Sequence, residues 1–289
     1  MTQPKTSIDH ALVRTTVRLS AGPTGMPPTS VGTGFFFKVG RGDTGPTKVV
    51  IMTNKHVIEG AEVLHFVLPR TSCLKELNDE FQPADRIDHE FIVSIQGNLY
   101  LHPDPEIDLC AIDITVIAGM LLQQHKLRIA FLDVSWLPNA TDKKMMRDVE
   151  EILVVGYPVG IWDEYNNMPI ARIGATATHP IAKYKGKRNF LLDIAAFQGS
   201  SGSPVFSYES PLYRNADGDY SPGTKANFIG VLYAVIERTV QGEITFAEVP
   251  SSLKPVPVVQ TSLNLAVALH GDSVKDLDEI IRATTPAHF

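Results

Sequence analysis

The chain has 289 residues, 44% of them hydrophobic, which is enough to bury a substantial core without metal or disulfide support. Its 26 basic and 32 acidic residues leave a formal charge of −6, a balance that argues against a phosphate-binding surface for nucleic acid. Two cysteines exclude a disulfide scaffold, and no uninterrupted apolar run approaches the roughly 20 residues that cross a bilayer.

The first residues, Met1 to Ser7, lack a basic start followed by an apolar stretch, so no signal peptide is expected and a cytoplasmic location is the simplest reading. Strand-like runs follow at residues 11–19, 31–39, 48–53, 62–68, 91–96 and 108–114, separated by turns rich in Gly, Pro and Asp. The third of these ends at Thr53-Asn54-Lys55-His56-Val57, which puts an imidazole at a strand terminus. Asp108 opens the apolar run of the sixth, with Asp104 and Asp113 as rival acids. Cys110 lies within that run, where a reduced thiol acts as a small hydrophobe.

A short helix is predicted from Ile117 to His125, followed by a charged linker around Thr141 to Glu151. Further strands are expected at 152–156, 172–178, 189–195, 204–208, 228–236 and 243–249. The loop from Gly160 to Pro169 carries Trp162 and Tyr165 among amides and acids; it reads either as a recognition loop or as one pinned by its own aromatics. Lys183 to Arg188, with Gly186 at its centre, reads as a solvated hairpin turn. Residues 237–261 contain Pro250, Pro255 and Pro257 and read as an insertion over the second half. An amphipathic helix then starts at Asp272-Ser273 and aligns Val274, Leu277, Ile280 and Ile281 on one face.

The chemistry gathers at Gly199-Ser200-Ser201-Gly202-Ser203-Pro204, a turn suited to exposing the Ser201 hydroxyl among backbone N–H groups. A flexible linker fits poorly there, because strand-like runs flank it on both sides. A serine alcohol needs a base to take its proton, and the carbonyl it attacks needs donors for the oxyanion that forms. His56 is the candidate base. Asp108 is the candidate acid that holds the imidazole in its useful tautomer. Among rival chemistries, there is no His-Glu-x-x-His, no Cys-x-x-Cys and no phosphate-binding glycine loop with lysine, so no metal or cofactor is expected.

These motifs resemble those of the chymotrypsin-like serine peptidases, and within them the bacterial HtrA-type branch. The order His, Asp, Ser is similar to that family's. Gly32-Thr33-Gly34-Phe35-Phe36 resembles its Gly-x-Gly strand, Thr53-Asn54-Lys55-His56-Val57 its histidine motif, and Asp193 to Pro204 the stretch around its nucleophile. Gly156-Tyr157-Pro158-Val159-Gly160 is similar to the glycine-rich entry of its second barrel. Two departures are evident: Ser203 replaces a glycine, and Val57 and Phe197 stand where secreted relatives have cysteines.

The resemblance implies an all-β fold of two six-stranded antiparallel β-barrels with the active site in the cleft between them, plus a C-terminal helix. Residues 1–127 would form the first barrel, and 128–289 the linker, second barrel and helix. It implies a catalytic triad of His56, Asp108 and Ser201, an oxyanion hole from the N–H groups of Gly199 and Ser201, and a substrate pocket of Ala195, Ala196, Tyr233 and Val235. With no acid at Ala195, cleavage after small or medium apolar residues is expected rather than after Arg or Lys. The substrate would be a protein or peptide bound as an extended strand, with no nucleic-acid or membrane partner. HtrA-type enzymes often carry a PDZ module; none fits after the last apolar strand, and restrained basal activity is expected. The alternatives are a catalytically silent peptide-binding protein on the same scaffold and a serine esterase.

Overall fold

Residues 30–39 read Ser-Val-Gly-Thr-Gly-Phe-Phe-Phe-Lys-Val, a run too apolar on both faces for a strand with one side in water. In the computed structural model, which describes residues 8–40, 48–71, 86–124, 129–158, 161–197, 199–241 and 258–284, this strand joins two cores. Phe36 points into the interior of the first half, while Phe35 and Phe37 point the other way into a core shared with the second half. The period-two alternation of a strand thus serves both.

The first half begins with a short helix, α1 (Ile8–Leu12), and continues through β1 (Thr16–Gly22), β2 (Ser30–Val39), β3 (Lys48–Thr53), β4 (Val63–Thr71), β5 (Arg86–Ser94), β6 (Leu99–Leu101) and β7 (Cys110–Asp113). These form a seven-stranded antiparallel sheet in the order β5-β4-β1-β2-β3-β7-β6. Among the described residues, the expected closed six-stranded barrel therefore stands as a seven-stranded sheet whose edge strands, β5 and β6, do not pair with each other. The chain crosses directly from β5 to β6 through a tight turn at Ile95–Asn98, which joins the two edges covalently. The strand expected from residue 11 starts later, because Leu12 is buried at the end of α1 and its carbonyl accepts the Thr15 hydroxyl.

Helix α2 (Thr115–Gln124) leads out of the first half. The expected charged linker contains a helix, α3 (Ala140–Met145), held by a capping box in which Asn139 accepts the Thr141 and Asp142 N–H groups and Asp142 accepts that of Asn139. The second half follows as β8 (Glu151–Gly156), β9 (Ile170–Thr176), β10 (Asn189–Asp193), β11 (Pro204–Glu209), a small hairpin β12 (Leu212–Arg214) and β13 (Tyr220–Pro222), then β14 (Lys225–Gln241), β15 (Val258–His270) and helix α4 (Asp272–Thr284). Six of these strands close a barrel in the order β10-β15-β14-β11-β8-β9. The strand expected at 243–249 lies outside the described residues. The barrel takes its last strand from β15 instead, so both flanks of the expected insertion 237–261 are long paired strands.

Val274, Leu277 and Ile281 of α4 pack into the shared core with Phe35, Phe37, Phe206 and Phe228. Arg188, at the end of the expected basic turn, donates to Asp276 on the same helix at 2.5 Å. Beside it His102 is 4% exposed, with its Nε2 3.5 Å from Asp276. Burial lowers the pKa of His102 below the ordinary 6.5, and burial does the same to His270. As pH falls, the unfolded chain therefore takes these protons first, so stability is full above pH 6.5 and declines below it. Chemical denaturation at neutral pH and at about pH 5.5 should show this decline, and His102→Gln should reduce it.

Candidate active site

Asn54 leaves β3 in an extended conformation, and Lys55–Val57 then wind into one turn of 3-10 helix. Val57 is buried in the first-half core and packs on Gly32, where a Cβ would fall 2.7 Å from its side chain. That contact fixes the turn and aims His56 outward. His56 Nδ1 lies 2.5 Å from Asp108 Oδ2, and the backbone N–H of His56 donates to Asp108 Oδ1 at 3.2 Å. Asn54 Nδ2 in turn donates to the Asp108 carbonyl at 2.6 Å, tying the two loops together. With Nδ1 facing a carboxylate, the neutral ring carries its proton there and leaves Nε2 as the acceptor.

The rival acids are engaged elsewhere. Asp104 accepts the Glu106 N–H. Asp113 pairs with Lys48 at 2.9 Å and accepts the Thr115 hydroxyl; although its burial works in the other direction, these partners hold its pKa below the ordinary value. The Cys110 thiol is fully buried, which pushes its pKa up and keeps it protonated.

The turn that carries Ser201 is fixed by backbone bonds. Ser200 N–H donates to Phe197 O at 3.0 Å, and Ser203 N–H to Ser200 O at 3.1 Å. Gly199 and Gly202 have φ of +86° and +88°, values that a side chain disfavours. At Gly202 space forbids one as well, since a Cβ would lie 1.9 Å from the Thr33 carbonyl. Ser203 is accommodated in place of the family's glycine because its hydroxyl sits over Gly156. Among the described residues, the N–H groups of Gly199 and Ser201 have no acceptor, and Ser201 Oγ makes no hydrogen bond to the His56 ring.

Thr33 connects this turn to the half that carries His56. Fully buried in β2, it donates its N–H to Ser201 O at 2.9 Å and its hydroxyl to Gly199 O at 2.9 Å. The same hydroxyl accepts the Tyr157 N–H at 3.0 Å, and the Thr33 carbonyl accepts the Thr53 hydroxyl at 2.8 Å. In the sequence Thr33 is visible only as the middle residue of Gly32-Thr33-Gly34. Thr33→Val keeps the shape but leaves Gly199 O and Tyr157 N–H without their partner, at a cost of about 1–3 kcal/mol for each buried group. We expect kcat to fall about 100-fold through displacement of the turn, while Thr33→Ser retains activity; steady-state kinetics on both variants checks this.

The expected pocket residues are divided. Ala195 and Ala196 line one hollow with Leu232 and Ser200. Tyr233 turns away to accept a hydrogen bond from Asn189 at 2.9 Å, and Val235 packs on the interior cluster that contains Ala196. The loop of residues 161–169 is pinned through one of its own aromatics, Trp162, held against the first half. Arg18 of β1 lies 4.4 Å over the Trp162 ring, so a loop of the second half docks on the first, and Tyr165 stays exposed.

Compared with known proteins, residues 32–212, more than half of the chain, match the family model of the trypsin-like peptidase domain. No curated protein matches at a significant level. A serine endoprotease from Yersinia pestis is similar at 16% identity and a TM-score of 0.47, over 97% of this chain and 68% of that one. A thermostable serine protease from an extremophilic microorganism is similar at 11% identity and a TM-score of 0.45, over 95% of this chain and all of that one.

Proposed function

Because the chain belongs to the family of trypsin-like peptidase domains and is a serine protease of that kind, we propose that His56, Asp108 and Ser201 are its catalytic triad. In this reading it is an endopeptidase. Ser201 Oγ attacks the scissile carbonyl while His56 Nε2 takes its proton, and His56 then returns the proton to the leaving amine. Water repeats the sequence on the acyl-enzyme. The oxyanion is held by the N–H groups of Gly199 and Ser201. Asp108 stabilises the imidazolium through Nδ1 and does not itself become protonated.

What supports this reading is the 2.5 Å contact between His56 Nδ1 and Asp108, together with a turn at Ser201 in which the N–H groups of Gly199 and Ser201 have no acceptor among the described residues. The missing Ser201–His56 bond fits an enzyme without substrate, in which such contacts tighten only when the substrate is bound. Residues 1–127 and 128–289 act as two barrel-like halves of one peptidase domain, with an extended peptide in the cleft between them. Small or medium apolar side chains precede the cleaved bond, because Ala195 and Ala196 offer no carboxylate to pair a buried cation. Among the described residues, no helix is long and apolar enough to cross a membrane. A reducing interior suits the buried free thiol of Cys110, and we place the enzyme's work there.

The test is covalent labelling with a fluorophosphonate, followed by mapping of the modified residue by mass spectrometry. Label on Ser201, absent in His56→Ala, supports the reading. A folded protein that takes no label, even with an extended peptide present, overturns it.

A further inference from the structure

Asp108 reaches His56 from the loop 102–109, which joins β6 to β7. Two prolines within it, Pro103 and Pro105, fix φ and supply no N–H, so the loop has few donors with which to hold a shape. Asp104, between them, is its hub. The Asp104 carboxylate accepts the Glu106 N–H at 2.9 Å, and its carbonyl accepts the Ile107 N–H at 3.2 Å and Lys55 Nζ at 3.1 Å. Through Ile107 the hub sets the residue before Asp108, and through Lys55 it meets the residue before His56.

Asp104 is itself held by His102. The Asp104 N–H donates to His102 Nδ1 at 3.1 Å, and the His102 N–H donates to Leu109 O at 3.0 Å, closing the neck of the loop just past Asp108. A ring nitrogen that accepts carries no proton, so the neutral ring bears its hydrogen on Nε2. That nitrogen is buried 3.5 Å from Asp276 Oδ2 of α4 and makes no hydrogen bond within the described residues. The charged groups that face the ring from other elements are Asp276 and Arg188, which donates to Asp276 at 2.5 Å. Lys187, next to Arg188, reaches the loop from outside through Glu106 at 2.7 Å.

We propose that His102 is a positioning residue for the pair of Asp108 and His56: its unprotonated Nδ1 holds Asp104 and with it the loop, and protonation of that nitrogen releases the loop. An imidazolium has donors on both nitrogens, so Nδ1 would then meet the Asp104 N–H donor to donor. Burial and Arg188 oppose the charged ring and Asp276 favours it; the balance lies with the neutral, holding form at pH 6.5 and above. The loop depends on His102 whatever reaction it serves, whereas the effect on rate rests on Ser201, His56 and Asp108 acting as the triad.

The proton on His56 Nδ1, deshielded by its charge-assisted bond to Asp108, is followed by NMR in the full chain. His102→Leu fills the ring's space without an acceptor. His102→Asn returns one, since an asparagine oxygen accepts the N–H two residues on. At about pH 7.5 the resonance is expected at one position in wild type and His102→Asn, and displaced or broadened by exchange in His102→Leu. A resonance unmoved in His102→Leu, or moved equally in both variants, overturns the proposal, as does its absence from wild type.

The second readout is the rate of fluorophosphonate labelling, expected to fall roughly 30-fold in His102→Leu and to stay within about twofold of wild type in His102→Asn. In acid, over the range where circular dichroism shows folded protein, the wild-type rate is expected to fall with two protons, one for His56 and one for His102, and that of His102→Asn with one. If His102→Leu does not fold, this comparison carries the test, and a one-proton fall in both proteins overturns the proposal. A displaced resonance with unaltered labelling overturns the effect on rate. Displacement in a protein that never labels upholds the positioning and retracts the triad.

Discussion

Ser201→Ala is expected to lower kcat for peptide hydrolysis by roughly 10⁶, to the level supplied by binding and the oxyanion donors alone. The substitution removes only the hydroxyl oxygen, so the turn is expected to survive. Its bonds run through the Ser201 carbonyl to Thr33, the Gly202 N–H to Leu232 O and the Ser203 N–H to Ser200 O, none of which involves the Ser201 side chain. His56→Ala should cost about as much, and the double variant little more than either alone, because a nucleophile without its base and a base without its nucleophile fail at the same step. The measurement is single-turnover hydrolysis of a chromogenic peptide ester and of the matching amide. An unchanged rate in Ser201→Ala would move the nucleophile elsewhere. Ester turnover without any amide turnover in wild type would favour an esterase.

Asp108→Asn should lower kcat by about 10⁴ with little change in fold. The carboxylate accepts from two N–H groups of His56, one from the backbone and one from the ring. An amide can present its oxygen to only one of them, and if its NH₂ faces the ring it forces the proton onto Nε2. His56 would then have no free nitrogen to take the Ser201 proton. Because the failure lies in the tautomer, activity should return partly at high pH, where hydroxide ion can deprotonate Ser201 in place of the histidine. A pH–rate profile of the variant, set beside that of wild type, shows the difference. A loss of only a few-fold would assign the imidazole's orientation to Asn54 and the backbone instead.

What could be read in the sequence was whatever a local pattern expresses. His56 and Asp108 stand at the ends of apolar runs, and Gly199 and Gly202 mark a turn that needs positive φ, so their neighbourhoods were visible without a fold. The Thr33 hydroxyl was not, because its acceptor, Gly199, is 166 residues away, and nothing near Thr33 reveals that partner. Short elements were missed for a related reason. The strand β6 has three residues, too few to show alternation, and its pairing with β7 is what extends the first sheet to seven strands. Helix α3 had a legible start in Asn139 and Asp142, but its charged surface hid it within what reads as a linker. The start of β15 was obscured by Pro255 and Pro257, which lie just before it.

The Thr33 tie also bears on how the proposed reactive centre would be kept together. His56 and Asp108 sit at the ends of strands of the first half, whereas the Ser201 turn lies between strands of the second, and hydrogen bonds from Thr33 of β2 reach across to that turn. In effect the molecule is a heterodimer whose subunits happen to share one chain. The covalent connection near residue 130 replaces a dissociation constant with an effective concentration, of the millimolar order for short connections. Assembly of the centre is therefore independent of dilution, and cutting that connection would turn a first-order property of the fold into a second-order encounter between two fragments.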